Sequence, residues 1–410
     1  MALWMDLPED MVVEILLRLP VKSLLRFKCV CRKWLVLIES PSFIDLHLRV
    51  RHNNGDQGIL LFHEYIKGEE GKSFLSFHSD SDDELLSGVN VAPHLELDSV
   101  EDDGRIHKPF LVGSCNGIVC LSLEFGKFIL FNPVLRGCGY KKISITTPLA
   151  FGCLPNPEFE YSDVDYGFGY DSLNDDYKIL STVNIMHYRG YPFIVGNKVE
   201  IYNLSTNSWR KLELDDGFSR FSADPPMLFF NGNLHWINLE DDDRGWDYYY
   251  IACFNLVTEV LRKIPIPDIE LPINGFLVLL DEYLTFIQRY SRDGDSPNPS
   301  DIIYFDIWIM KGYGINETWI KRYHLEPLWN VDRPLLFLKN DRLICKDYPS
   351  PFDPPGDLFD EYKRHLVSID LNTLQTQQYH HINVIRAISY RETLVSIINK
   401  KSSPPNPLLL

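Results

Sequence analysis

No run of eighteen apolar residues occurs in this chain of 410 residues, so a helix long enough to cross a bilayer is not expected. Positive charge is also short. The 40 Lys and Arg stand against 57 Asp and Glu, for a formal net charge of −17. Residues 1–50 hold seven Lys or Arg and six Asp or Glu, a net of +1, so the remainder carries −18. So acidic a body argues against nucleic-acid binding, which needs basic surface for phosphates. It suits a basic protein partner and speeds the encounter, although charge of this kind also serves solubility alone. Paired cysteines are missing too. The eight cysteines (29, 31, 115, 120, 138, 153, 253 and 345) are scattered, with no C-x-x-C pair, and read as reduced thiols of the cytosol or nucleus. Met1 to Asp6 lacks the basic start and apolar core of a signal peptide. A cytoplasmic location, extending to the nucleus, is expected. Asn203-Leu204-Ser205 and Asn316-Glu317-Thr318 then read as turns, not glycosylation sites.

Reaction chemistry is the next absence. Gly113-Ser114-Cys115-Asn116-Gly117 sets nucleophiles between glycines, as at a strand-to-helix elbow, but Ile118 to Leu123 after it reads as a strand. Gly167-x-Gly169 lacks the third glycine and the helix of a dinucleotide loop. His380-His381 lies in an expected strand, where the two rings point to opposite faces. Cys29-x-Cys31 reads as a pair of small buried thiols. Asp241-Asp242-Asp243 has neither the Gly nor the closing Glu of a calcium loop. No catalytic residue, metal ligand or cofactor site is expected.

What is there begins with Leu7 to Leu48. Asp6 near a cap and Pro8 in a first turn start a helix, and Met11, Val12, Ile15, Leu16 and Leu19 follow at helical spacing. Pro20 stops that helix and begins a second, with Val21, Leu24, Leu25 and Phe27 apolar. A third spans Cys31 to Ile38 around Trp34 and is ended by Pro41. Leu7-Pro8, Leu19-Pro20, the run Val21 to Cys31, Trp34 and Pro41-Ser42-Phe43 together resemble the F-box. Cys31-Arg32-Lys33 departs from the Ser-Lys commoner before the Trp. The resemblance implies a three-helix module that docks on a Skp-type adaptor and, through it, a cullin. The residues assigned to adaptor binding are Leu7, Pro8, Ile15, Leu16, Leu19, Pro20, Leu24 and Leu25, part of which must form the module's own core.

Arg51 to Gly58 reads as a linker, and the character beyond it is strand-like. Gly58 to Phe62 and Ser73 to Phe77 suggest a hairpin, and Ser79 to Gly104 a solvated acidic loop. A unit then recurs: an apolar strand, an Asn or Asp that favours a turn, and a return strand with an aromatic or basic residue. Its markers are Asn132, Asn203, Asn255, Asp306 and Asp370, spaced by 71, 52, 51 and 64. A period near fifty is that of a kelch-sized β-propeller, and with the early hairpin about six blades are expected. An irregular β-sandwich is the alternative. Ala387 to Ile397 reads as the strand that closes the ring. The glycine turns at 113–117, 166–171 and 231–232, with Asp306 to Lys311 and Tyr313 to Lys321, resemble the plant F-box-associated interaction domain over residues 50–399.

The expected fold class is therefore α+β: an F-box at 1–50, an all-β propeller-like domain at 58–399, and a disordered Pro-rich tail at 400–410. The family resemblance implies the non-catalytic substrate receptor of a Skp–cullin–F-box ubiquitin ligase, with protein degradation as the outcome. Leu75-Ser76-Phe77 and Leu325 to Leu328 resemble S-locus F-box proteins of pollen self-incompatibility, which implies secreted basic ribonucleases as substrates. Immune or signalling regulators are the other targets the family implies, and a ligase-independent propeller is the second alternative. The acidic segments 79–104 and 240–247 are the candidate contacts.

Overall fold

Among the described residues, four α-helices precede six four-stranded antiparallel sheets. The computed structural model describes residues 8–53, 59–65, 73–78, 95–97, 100–102, 105–107, 110–123, 127–137, 143–146, 159–187, 193–213, 227–241, 247–269, 274–291, 303–315, 317–328, 331–339, 341–347, 366–379 and 384–397. The helices are α1 (Glu9–Leu17), α2 (Val21–Phe27), α3 (Arg32–Glu39) and α4 (Pro41–Asn53). Blade 1 is built from Ile59–Tyr65, Ser73–His78 and Leu95–Leu97, and its innermost strand is Val384–Tyr390 from the far end of the chain. Blade 2 follows with Phe110–Cys115, Ile118–Leu123, Lys127–Phe131 and Ile143–Thr146, and blade 3 with Phe159–Asp171, Asp176–His187, Phe193–Asn203 and Ser208–Leu212. Blade 4 holds Leu228–Phe230, Asn233–Asp241, Asp247–Asn255 and Leu261–Pro265. Blade 5 holds Asn274–Leu280, Tyr283–Ser291, Ile303–Lys311 and Thr318–Leu328, and blade 6 holds Val331–Leu338, Arg342–Asp347, Leu366–Asp370 and Thr376–Tyr379.

Successive blades touch in the order 1-2-3-4-5-6 and back to 1, through their innermost strands except where Asn233–Asp241 of blade 4 meets Asn274–Leu280 of blade 5, and this closes a propeller ring. Ring closure leaves no inner edge free to pair with another chain. Among the described residues the apolar core of the ring is correspondingly divided into six buried clusters, each shared by two neighbouring blades. Polar staples cross the same seams. The buried Lys178 of blade 3 pairs with Asp171 at 2.7 Å and reaches blade 4 through the Leu256 carbonyl and Glu259. Arg210 of blade 3 also pairs with Glu259, and Arg262 of blade 4 pairs with Glu317 before the last strand of blade 5 at 2.7 Å.

Asn and Asp build the hairpins through their side chains. Asn132 Oδ1 accepts the Val134 N–H, Asn255 Oδ1 those of Val257 and Thr258, and Asp370 Oδ1 those of Asn372 and Thr373. Asn203 ends its strand before the Leu204–Asn207 turn. Asp306 differs from the expectation. It lies within its strand and pairs across it with Lys321 and His324, each at 2.7 Å, while the turn falls at Gly312–Ile315. This strand runs longer before turning, so the acidic residue serves the ladder instead of the hairpin. The acidic stretch at 79–104 also differs where it is described: Leu95–Leu97 is the outer strand of blade 1, and Val100–Asp102 pairs with Arg105–His107. Residues 79–94 and the tail 398–410 lie outside the described residues.

The helical module has four helices where three were expected. Pro41 begins one as it ends another, because a proline suits the first helical position. Ser40 caps α4: its Oγ accepts the Phe43 N–H at 3.3 Å and its carbonyl accepts that of Ile44. Pro8 and Pro20 cap α1 and α2 directly, their carbonyls receiving the N–H groups of Met11, Val12, Ser23 and Leu24. Asp6 lies outside the described residues.

Candidate functional site

The helices form one apolar cluster of Leu16, Leu17, Val21, Leu24, Ile38 and Phe43, with Leu19, Leu25 and Trp34 packed on its margin. His47 of α4 is buried inside the module, its Nε2 3.0 Å from the Leu19 carbonyl and its ring stacked on Phe43. On its far side α4 sinks Ile44 and Leu48 into the cluster shared by blades 2 and 3. The module therefore sits on the ring end that carries the first-to-second and third-to-fourth strand turns, above Asn132 and Val134 of blade 2. One side of the module is committed to the propeller, and α1 leaves the other open.

The residues assigned to adaptor docking divide between these sides. Leu16 and Leu24 are core, 1% and 0% exposed. They fall on the inward stripe of their helices, so in this structure they present no docking surface. Leu19 and Leu25 are half-buried, Pro8 and Pro20 exposed, and Ile15 is 38% exposed. Leu7 lies outside the described residues. Met11, 52% exposed one turn before Ile15, was not in the assigned set although its spacing placed it on the same face. Cys29 and Cys31, expected to be buried, are exposed free thiols. They lie in the turn between α2 and α3 and at the cap of α3, off the apolar stripe of either helix.

Two of the sequence motifs, Gly113 to Gly117 and Gly167-x-Gly169, resolve into packing. Ser114 Oγ donates to the Ser389 carbonyl at 2.7 Å, Cys115 is buried, and the chain turns at Asn116-Gly117 directly into the next strand. Both turn residues have positive φ, 49° and 77°, as the tight hairpin demands. Gly167 and Gly169 lie against blade 4: a Cβ on Gly167 would stand 2.7 Å from Leu234 and one on Gly169 would overlap Phe229 and Leu256. These glycines permit close contact between blades 3 and 4. Among the described residues no group of three or more His, Cys, Asp or Glu is placed to hold a metal ion, and no helix is long and apolar enough to cross a membrane. His380-His381 and the Asp242-Asp243 pair lie outside the described residues.

A helical module with one side open and the other sunk onto a closed ring of blades defines a two-part binding protein. Residues 4–46 match the F-box domain, and residues 82–403 match the F-box associated beta propeller domain. The chain belongs to the plant F-box proteins with an F-box associated β-propeller domain. It is 24% identical over 375 residues to the F-box protein CPR1 of Arabidopsis thaliana, a match covering 82% of this chain and 78% of that protein. It is 26% identical over 351 residues to the F-box/kelch-repeat protein At3g23880 of the same plant, covering 80% of this chain and 82% of that one. Among solved structures it is similar to YjhT, with 14% identity, a TM-score of 0.36, and coverage of 69% of this chain and 86% of YjhT.

Proposed function

We propose that this chain is the substrate-recognition subunit of a Skp–cullin–F-box ubiquitin ligase. The observation that carries the proposal is the open face of the F-box, where Pro8, Met11, Ile15 and Pro20 stay exposed while α4 is packed onto the ring. Fully burying a large apolar side chain is worth about 1.5–3 kcal/mol, and several such anchors offset association costs of about 4–15 kcal/mol. The adaptor supplies the burial and links the chain to a cullin. The receptor itself performs no reaction. It holds a protein substrate beside the conjugating enzyme, so that acceptor lysines meet the thioester at high effective concentration. The ligase works in the cytoplasm and nucleus.

Substrate reception is proposed at the ring end opposite the F-box, where the second and third strands of each blade connect. Asp241 and Asp247, which flank the acidic stretch, lie at that end and pair at the tip of the blade 4 ladder. A net charge of −18 outside residues 1–50 favours a basic substrate. The S-locus resemblance gives this substrate a class, the basic ribonucleases of pollen self-incompatibility.

The test is co-expression with a plant Skp-type adaptor. The native chain is expected to bind, and Ile15→Glu with Pro20→Ala to lose at least about 100-fold in affinity, since a charge is buried without a partner. Both proteins should keep the same circular dichroism spectrum. Absence of native binding, or equal binding by the folded variant, overturns the assignment.

A further inference from the structure

The F-box core contains a residue that the F-box segment does not supply. Leu394, 370 positions beyond Leu24, is 4% exposed in the same cluster as Leu16, Leu17, Val21, Leu24, Ile38 and Phe43. It belongs to a segment, Arg391 to Ile397, that leaves the ring-closing strand Val384–Tyr390 and runs between the module and the propeller. This strap is held on both sides. Asn132 Nδ2 donates to the carbonyls of Thr393 at 3.0 Å and Val395 at 2.8 Å. Thr393 Oγ1 donates to the Asn116 carbonyl at 2.7 Å, packed so closely on Gly117 that no Cβ fits there. Val395 and Ile397 join the cluster of blades 2 and 3 that also takes Ile44 and Leu48 from α4. Glu392 pairs with Lys22 of α2 at 3.0 Å.

The helices need such help. They have 9, 7, 8 and 13 residues, and isolated helices shorter than about 12–15 residues are marginal in water. A unit of this size has too small a core of its own to stand firmly alone. Its order comes from tertiary burial, and part of that burial arrives with the last described residues of the chain.

We infer that the C-terminal strap Arg391–Ile397 is part of the adaptor-docking module, and that closing the propeller is what completes the F-box. Val384–Tyr390 completes blade 1, and its next residues complete the helical core. A chain whose ring is open presents incomplete F-box helices and is a poor adaptor ligand, so the ligase engages only receptors with a finished substrate domain. The same strap fixes the helices to blade 2, which sets the direction of the adaptor relative to the ring.

This inference rests on the adaptor-binding reading and is tested in the full-length chain. Hydrogen exchange and titration with a recombinant plant Skp-type adaptor are compared for native protein, Leu394→Ala and Leu374→Ala, the last a control at a blade 6 turn. Leu394→Ala is expected to speed exchange in α1 to α3 at least tenfold, leave blades 3 to 5 unchanged, and raise the adaptor Kd at least tenfold. Leu374→Ala should change neither. Unaltered helix exchange and Kd in Leu394→Ala overturn the inference. If that variant also loosens blades 3 to 5, the comparison is made on Leu394→Val, with the same expected direction and the same overturning result. If the native chain does not bind the adaptor, the ligase reading fails separately, and helix exchange alone upholds or overturns the role of the strap.

Discussion

His235 illustrates what burial does to one residue in this ring. Its Nδ1 lies 3.3 Å from the Leu228 carbonyl, which can only accept, so Nδ1 carries the proton and Nε2 accepts from the Tyr313 hydroxyl at 2.7 Å. The pair crosses from blade 4 to blade 5, with Cys253 and Arg262 beside it. Burial pushes the imidazole pKa down to about 4, the Leu228 hydrogen bond opposes that shift, and Arg262 adds to it. The folded protein therefore holds a neutral ring, whereas the unfolded chain takes up a proton near pH 6.5. Between about pH 6.5 and 4 the unfolded state binds the extra proton, so stability falls as pH falls through that window. Urea unfolding of native protein and His235→Gln at pH 7 and pH 4.5 checks this. The native protein should lose on the order of 2 kcal/mol more than the variant across that interval. Asp171 is a buried carboxylate and Glu259 a half-buried one. Burial opposes the shift, yet Asn174, Lys178 and Arg210 hold both below their ordinary range, and both are common to the two proteins compared. Equal pH slopes would exclude the histidine as a source. The residue's type and its turn were visible in Asn231 to Trp236, but not its burial, because Tyr313 lies 78 positions away.

At the scale of the element, hairpins were the legible part. Asn-Gly pairs, Asn-capped turns and alternating apolar runs act within a few residues, so their meaning survives without the fold. Asn132, Asn203, Asn255 and Asp370 each mark the hairpin expected of them, whereas Asp306, α4 and the strand Leu95–Leu97 take their form from partners distant in sequence. The division of the docking residues into core and surface escaped in the same way, since a helical stripe does not say which neighbour covers it. Gly169 makes the point energetically. Its missing side chain lets Phe229 and Leu256 of blade 4 close against blade 3. Gly169→Ala should overpack that seam and cost about 1–3 kcal/mol, read as a lower urea midpoint with unchanged m. Gly113→Ala, where a Cβ would meet no neighbour within 4 Å, should stay within about 0.5 kcal/mol of native. A similar loss in both would place the cost in the backbone instead of the seam.

For the whole molecule the decisive feature is that blade 1 is assembled from two ends of the chain. Ile59, Leu60 and Leu61 pair with Tyr390, Ser389 and Ile388, contacts separated by more than three hundred residues. The closing strand was legible as a late apolar run from Ala387, but the structure begins it at Val384 and ends it at Tyr390, because the strap claims the rest. Joining distant ends carries a loop-closure cost that grows only slowly with length, so buried apolar area at the seam suffices to hold it. Ala387 is part of that seam, 5% exposed against Leu336, Leu338 and Leu366 of blade 6. Ser389 lies two residues along the same strand and is exposed. Ala387→Asp places an unpaired charge in the seam, which costs several kcal/mol, and frees the inner edge of Ile59–Tyr65. An uncovered edge pairs with other chains. Light scattering after size exclusion should therefore find higher-order species for Ala387→Asp, together with a lower urea midpoint. Ser389→Asp should match the native protein in both measurements. Were Ala387→Asp to remain monomeric and equally stable, the ring would be held by its five other seams, and closure by the last strand would be dispensable to the molecule.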